Sequence, residues 1–259
     1  MQLAPTTLTQ NQVQDFHDKG YLVLRKAFNT EETAKWQAEC DRLLTLTDLL
    51  DPNNIRTGFR KLDNGEQIIE RIDPVIDVSP VFMDLVNDQR ILGALHDIYG
   101  QRAHLFKDKL IYKLPGVSGY TMHQDAAWWQ GFPYQSLISV MVAIDGANRE
   151  NGGLELFPGY QDRLMSEPGV LRNMNDEEIA QIDLSTGEIV ETEPGDIILF
   201  HSLTPHQSGV NTANRSRRQY YLTYVSSEHG RLYDAHYEHY KKYNIDLKEE
   251  SVRSSLYFK

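Results

Sequence analysis

The 259-residue sequence predicts a mainly β chain with α, an α-rich N-terminal layer packed on a C-terminal β-barrel or sandwich. Three observations predict it. Up to about residue 103, apolar residues recur at helical spacing between capping signals. From His104 the chain breaks into short β-branched and aromatic runs punctuated by Pro, Gly and Asn, as regular strands joined by turns do. No internal repeat or low-complexity linker interrupts it, so the expectation is one domain over 1–259, with a helix-rich support layer over 1–103, a β core over 104–226 and a C-terminal tail over 227–259.

Taken in order, Thr9 with Gln12 has capping-box spacing ahead of a helix carrying Val13 and Phe16 on one side, and Gly20 ends it. YLVLRKAF reads as a short strand. Asn29 with Glu32 repeats the cap before a longer helix striped by Trp36, Cys40, Leu43 and Leu44. Asp63-Asn64-Gly65 marks a hairpin turn between RTGFRKL and EQIIERI. MDLVNDQRILGALHDIYG has helical periodicity and stops at Gly100. The strands that follow are HLFKDKLIYKLPG, GYTMHQDAAWW, SLISVMVAID, GGLELFPGY, EIVETEP, DIILFHS and RQYYLTYV. The acidic LRNMNDEEIAQIDLSTG interrupts them and predicts a helix and loop over one mouth of the barrel. HYEHYKKYNIDLKEE, near the end, is charged and Tyr-rich and receives no functional assignment.

Composition excludes several classes. A formal charge of −11 and a pI near 5.3 oppose a nucleic-acid or anionic-membrane partner, both of which need a basic face. The single Cys40 excludes an internal disulfide and a Cys-based zinc site. MQLAPTTLTQ has neither the basic nor the apolar region of a signal peptide, and no run reaches the roughly 18 apolar residues of a membrane span. The expectation is a cytoplasmic protein with a small-molecule partner; oligomeric state is not readable.

Chemistry concentrates in three places. On a strand, His123 and Asp125 of MHQD share one face and Gln124 turns away. A second His from a distant strand, His206, completes two nitrogens and one carboxylate, the usual ligand set of non-haem Fe(II) oxygenases. Either half alone is a weak motif, and His201 competes with His206. Arg217, in the turn after His206, is a candidate bidentate anchor for a buried dicarboxylate. Arg215 and Arg218 crowd beside it, and a surface basic cluster is the competing explanation.

GYTMHQD, ENGGLELFPGY, PGDIILFH and the run from PHQSGVN to RR resemble the phytanoyl-CoA dioxygenase superfamily of Fe(II)/2-oxoglutarate oxygenases, over roughly the whole chain. The resemblance implies a double-stranded β-helix (jelly-roll) core. It implies Fe(II) on His123, Asp125 and His206, the C5 carboxylate of 2-oxoglutarate on Arg217 with Ser208 beside it, and O2 as cosubstrate. It leaves His201 to a supporting or core position. It also implies hydroxylation coupled to conversion of 2-oxoglutarate to succinate and CO2. Related halogenases replace the carboxylate ligand by a small residue; the presence of Asp125 favours hydroxylation.

The wording YTMHQD…FPYQSLISVMVAIDGANRENGGLELFPGY is most similar to the bacterial branch that hydroxylates 2-aminoethylphosphonate. An amino acid, an acyl-CoA or a natural-product intermediate is the alternative substrate within the superfamily. A phosphonate requires cations near the iron. Lys107, Lys109 and Lys113 alternate onto one face of a strand, which is either solvated or turned inward. Lys109, Lys107, Trp128 and Gln124 are the candidate substrate contacts. Trp128, Trp129 and Phe132 fit a pocket wall and barrel core equally. From other classes, a non-catalytic anion- or metal-binding barrel stays open. A zinc hydrolase is disfavoured because no acid is placed as a general base and Arg217 would have no role.

Overall fold

Both capping boxes form. Gln12 N donates to Thr9 Oγ1 at 3.3 Å and Thr9 N donates to Gln12 Oε1 at 2.9 Å. They open helix α1 (Gln10–Lys19), which Gly20 ends in the left-handed conformation. Asn29 and Glu32 reciprocate in the same way for α2 (Thr30–Leu43). The structure is a computed structural model and describes residues 7–62, 65–129, 131–167 and 170–259. Trp36, Cys40 and Leu43 of α2 are buried, and full burial of a side chain such as Leu43 stabilises by about 1.5–3 kcal/mol.

The single helical stretch expected before Gly100 is two helices. α3 (Pro80–Val86) stops at Asn87, and α4 (Gln89–Tyr99) starts afresh from Asp88. The Asp88 carboxylate accepts from Arg90 N at 2.9 Å, and an Asp bonded to nearby backbone favours a cap over helix continuation. The apolar period survives the break because Phe82, Leu85, Ile91 and Leu95 enter the same core.

Ten strands follow the alternation of the sequence: β1 (Tyr21–Leu24), β2 (Thr57–Lys61), β3 (Gln67–Ile72), β4 (Ala103–Lys113), β5 (Leu137–Ala143), β6 (Leu154–Leu156), β7 (Glu188–Ile189), β8 (Ile197–His201), β9 (His206–Ser208) and β10 (Arg217–Ser226). Seven lie in the order β1-β8-β5-β10-β4-β3-β2, and β7-β6-β9 form a second, smaller sheet. Together they are the jelly-roll core. β1, β2 and β3 belong to the same sheet as β4, so the N-terminal hundred residues build the core as well as supporting it. β2 and β3 pair as the expected hairpin; its tip, Asp63-Asn64, lies outside the described residues.

Period-two alternation gives the large sheet two different faces. Leu110, Tyr112, Val140, Leu199 and Leu222 pack with the helices. Ile111, Met141, Ile198 and Tyr221 turn the other way, toward Leu154 and Leu156 of the small sheet. The acidic insertion carries the short helix α5 (Asp176–Ile179). The C-terminal stretch forms α6 (Tyr233–Asp246), which packs on β4, and α7 (Glu250–Arg253). Among the described residues no helix is long and apolar enough to cross a membrane.

Candidate active site

GYTMHQDAAWW is not the strand expected. His123 alone bridges to His206, and Asp125–Trp128 is a 3-10 turn. The backbones of His123 and His206 exchange hydrogen bonds of 3.0 and 2.9 Å, and Ser208 N donates to Tyr120 O at 3.0 Å. Gly119 permits this approach, since a Cβ there would lie 1.5 Å from the Ser208 carbonyl oxygen. The turn after Gln124 is pinned by Ala126 N donating to Ser202 O at 3.0 Å, and it brings Asp125 back beside His123. The two side chains meet as the spacing required, through a bridge and a turn in place of a strand.

The candidate ligand atoms of His123, Asp125 and His206 all lie within 4.8 Å of one another, with His123 Nε2 3.9 Å from Asp125 Oδ1. His123 Nδ1 lies 2.8 Å from Thr121 O, and His206 Nδ1 2.9 Å from Thr204 O. A carbonyl only accepts, so each Nδ1 carries the proton and each Nε2 presents its lone pair to the cluster. Burial, with His206 alongside, pushes His123 well below the usual imidazole range; burial also lowers His206. Burial works to raise Asp125, but His206, Lys109 and His123 outweigh it and hold the carboxyl below its usual range. Ser139 on β5 donates to Asp125 Oδ2 at 3.2 Å and orients it. Two neutral imidazoles and one oriented carboxylate suit a divalent cation with open positions.

Arg217 starts β10 at 1% exposure. Its Nη1 donates to Gln219 Oε1 at 2.6 Å, and its Nε has no partner. A buried guanidinium without a carboxylate costs several kcal/mol, so the pocket suits an anionic ligand. The crowding of arginines resolves by face. Arg218 points the other way into Asp145 and Asp41, and Arg215 is exposed. Ser208 lines the same cavity; its Oγ accepts from Lys113 Nζ and Tyr120 N, both at 3.1 Å.

A cavity of about 390 Å³ joins these groups. Lys107, Lys109 and Lys113 all face inward, as the alternation of β4 allowed, so that face is not solvated. Lys107 and Lys109 line the cavity, Lys107 paired with Asp73 at 2.9 Å. Burial lowers Lys109 against the pull of Asp125, and its Nζ sits 5.2 Å from the centre of the Tyr221 ring. Lys113 lies behind Ser208 and also holds the carbonyls of Gly152 and Gly209. Trp128 and Trp129 line the cavity, whereas Phe132 packs edge-on against Phe106 and His236.

Gln124 is a correction. It does not line the cavity but staples loops behind it: Nε2 donates to Arg163 O and Leu203 O, and Oε1 accepts from Met165 N at 2.7 Å. The residue between two same-site side chains points away from the site, here into backbone. His201 is likewise spent on Gln135 O and Leu203 N.

Sequence reasoning missed one wall. His236, His239, Tyr240, Tyr243 and Asn244, all on α6, line the cavity, and so do Arg71 and Asp73. Tyr233, Tyr237 and Tyr240 recur at helical spacing and anchor α6 through their hydroxyls, to Asp108, Asp73 and Ile55 O. That spacing was the available signal. Asn173 in the insertion closes the opposite rim, donating to Thr121 Oγ1 at 2.7 Å.

The sequence profile of the phytanoyl-CoA dioxygenase (PhyH) family matches residues 16–219. The chain belongs to that family. It is an Fe(II)/2-oxoglutarate-dependent dioxygenase, with iron as its metal and 2-oxoglutarate and O2 as cosubstrates. The family sets aside the non-catalytic barrel. The chain is 29% identical over 226 residues to a 2-aminoethylphosphonate dioxygenase of an uncultured bacterium (HF130_AEPn_1), covering 83% of this chain and 81% of the relative. It is 28% identical over 235 residues to a methylphosphonate hydroxylase of Gimesia maris, covering 90% and 86%. The crystal structure of EctD from S. alaskensis with 2-oxoglutarate and 5-hydroxyectoine superposes with a TM-score of 0.75 at 22% identity, covering 88% of this chain and 80% of that one. This last likeness is one of fold.

Proposed function

We propose that the protein hydroxylates 2-aminoethylphosphonate at the carbon next to phosphorus. In this reading His123, Asp125 and His206 hold Fe(II), and Arg217 pairs with the C5 carboxylate of 2-oxoglutarate, with Ser208 beside it. Lys109, Lys107 and Trp128 border the substrate. The bound iron supplies the activation of O2 and the oxidative decarboxylation of 2-oxoglutarate. The chain orients Asp125 through Ser139, fixes both imidazole tautomers, and keeps water out with the aromatic side chains around the cavity.

The observation that carries the substrate is the sign of charge. On a chain of net charge −11, the cavity is cationic. Once Asp125 is given to the metal and Arg217 to 2-oxoglutarate, Arg71, Lys107 and Lys109 line it against one carboxylate, Asp73, while Glu70 behind them is shared between Arg60 and Arg71. The phosphonate group of 2-aminoethylphosphonate, doubly charged, balances that excess locally; an uncharged or singly charged headgroup does not. The two phosphonate-acting relatives support the same class by name.

The test is iron-dependent succinate formation with 2-aminoethylphosphonate, methylphosphonate, free amino acids and acyl-CoAs. The expected result is stimulation by the phosphonates, greatest with 2-aminoethylphosphonate. Stimulation by an amino acid or acyl-CoA and by no phosphonate would overturn the reading.

A further inference from the structure

We propose that Arg71, Lys109 and His236 form the subsite that takes the substrate's dianionic phosphonate group, and that α6 thereby sets specificity. The proposal rests on the phosphonate reading above and names the residues that read the headgroup. Arg71 pairs with Ile111 across β3 and β4, and Lys109 lies two residues from Ile111, so both cations project from one face of adjacent strands. Neither is fully neutralised. Arg71 meets Glu70 Oε2 at 3.2 Å and the Tyr240 hydroxyl, while Glu70 Oε1 is taken by Arg60. Lys109 has no ion-pair partner among the described residues and feels only the more distant charges of Asp125 and Asp73.

His236 is the third observation and is independent of charge counting. It is 4% exposed and lines the cavity, and neither ring nitrogen has a hydrogen-bond partner. Leaving a buried polar group unpaired costs about 1–3 kcal/mol, and this imidazole leaves two such atoms. Its ring is held by Phe106 and Tyr237, at 4.5 and 4.9 Å between centroids. Burial and Lys107 hold it neutral, near 3. A neutral imidazole offers one N–H to a phosphonate oxygen and adds no charge to an already cationic subsite. His236 lies beyond residue 219, where the family match ends, on a helix that packs on β4.

The experiment uses Arg71→Gln, Arg71→Lys and His236→Phe in the full chain, with thermal unfolding to verify folding. His236→Phe keeps the ring packing and removes both nitrogens. KM and kcat are measured for 2-aminoethylphosphonate and for its monoanionic sulfonate analogue, whose ratio does not depend on the folded fraction. The expected result is a KM for the phosphonate raised tenfold or more in Arg71→Gln and His236→Phe, with kcat changed less. The phosphonate-to-sulfonate preference should collapse in Arg71→Gln and partly return in Arg71→Lys. Phosphonate turnover with KM within twofold of wild type in both variants would overturn the subsite and leave the function standing. Calorimetric titration with methylphosphonate separates the two claims. Binding that needs Arg71 and His236, without turnover, upholds the subsite and contradicts the function; neither binding nor turnover contradicts both.

Discussion

Arg217 is the residue whose burial most plainly calls for an anionic partner. A guanidinium cannot shed its charge in a protein, and this one is held from the side by neutral groups, Gln219 Oε1 and the Tyr221 hydroxyl, which itself donates to Gln219 Oε1 at 2.9 Å. Gln219 therefore acts as a positioning residue. Gln219→Leu keeps the volume and removes the acceptor. A hydrogen bond to a charged group contributes about 1.5–3 kcal/mol, so the KM for 2-oxoglutarate is predicted to rise about tenfold or more, with kcat less affected. Titration of 2-oxoglutarate at saturating iron measures it; an unchanged KM would show that the strand alone positions Arg217. At this scale the sequence was legible where chemistry demands a residue type at fixed spacing: His123, Asp125, His206 and Arg217, singled out by the motif, come together around one cavity. Gln124 and Ser139 were not legible, because their partners are backbone groups and side chains brought in by folding.

At the scale of elements, β4 has two opposed duties. From Lys107 onward its odd-numbered residues line the cavity or back it, and Asp108, on the other face, ties β4 to the chain after Asp73 and to α6. Asp108 accepts from Val75 N at 2.7 Å, Ile76 N at 3.2 Å, Tyr220 Oη at 3.0 Å and Tyr233 Oη at 2.9 Å. Burial, helped by the Asp73 charge and opposed by the Val75 N–H, lifts its carboxyl from 3.8 to about 6. Between those values the native state holds the proton more tightly than the unfolded chain. Stability from this group is therefore full below about pH 4 and falls as pH rises through 6, by roughly 3 kcal/mol. Asp108→Asn keeps an oxygen toward Val75 and offers its amide to the Tyr233 hydroxyl. Relative to wild type it is predicted to gain stability as pH rises from 4 to 7. Asp108→Ala strands the Val75 N–H and is predicted to lose about 1–3 kcal/mol or more. Denaturant unfolding between pH 4 and 8 checks both; a constant difference between wild type and Asp108→Asn would contradict the account. Capping boxes and strand alternation made most elements legible. The break at Asn87-Asp88 was hidden because both helices keep one apolar period. α6 was hidden because tyrosine hydroxyls anchor it where a periodic reading looks for aliphatic side chains.

For the molecule as a whole, the two sheets and α6 enclose a cationic chamber inside an acidic protein, with a metal-ligand cluster at one end and an unpaired arginine beside it. Residues 16–219, matched by the family, supply the cluster and all of the strands but β10 beyond Gln219, and α6 supplies one wall. Composition gave the sign of the surface but not of the chamber, since a few inward-facing cations disappear in a total of −11. The central claim is that His123, Asp125 and His206 bind iron and that Arg217 binds 2-oxoglutarate beside it. Anaerobic titration with Fe(II) and then 2-oxoglutarate tests it most directly, through the visible metal-to-ligand charge-transfer absorption of the ternary complex. The predicted result is a band that needs both additions, is lost in His206→Ala, and in Arg217→Leu demands at least tenfold more 2-oxoglutarate. A band of undiminished intensity in His206→Ala, formed at the wild-type 2-oxoglutarate concentration in Arg217→Leu, would contradict it.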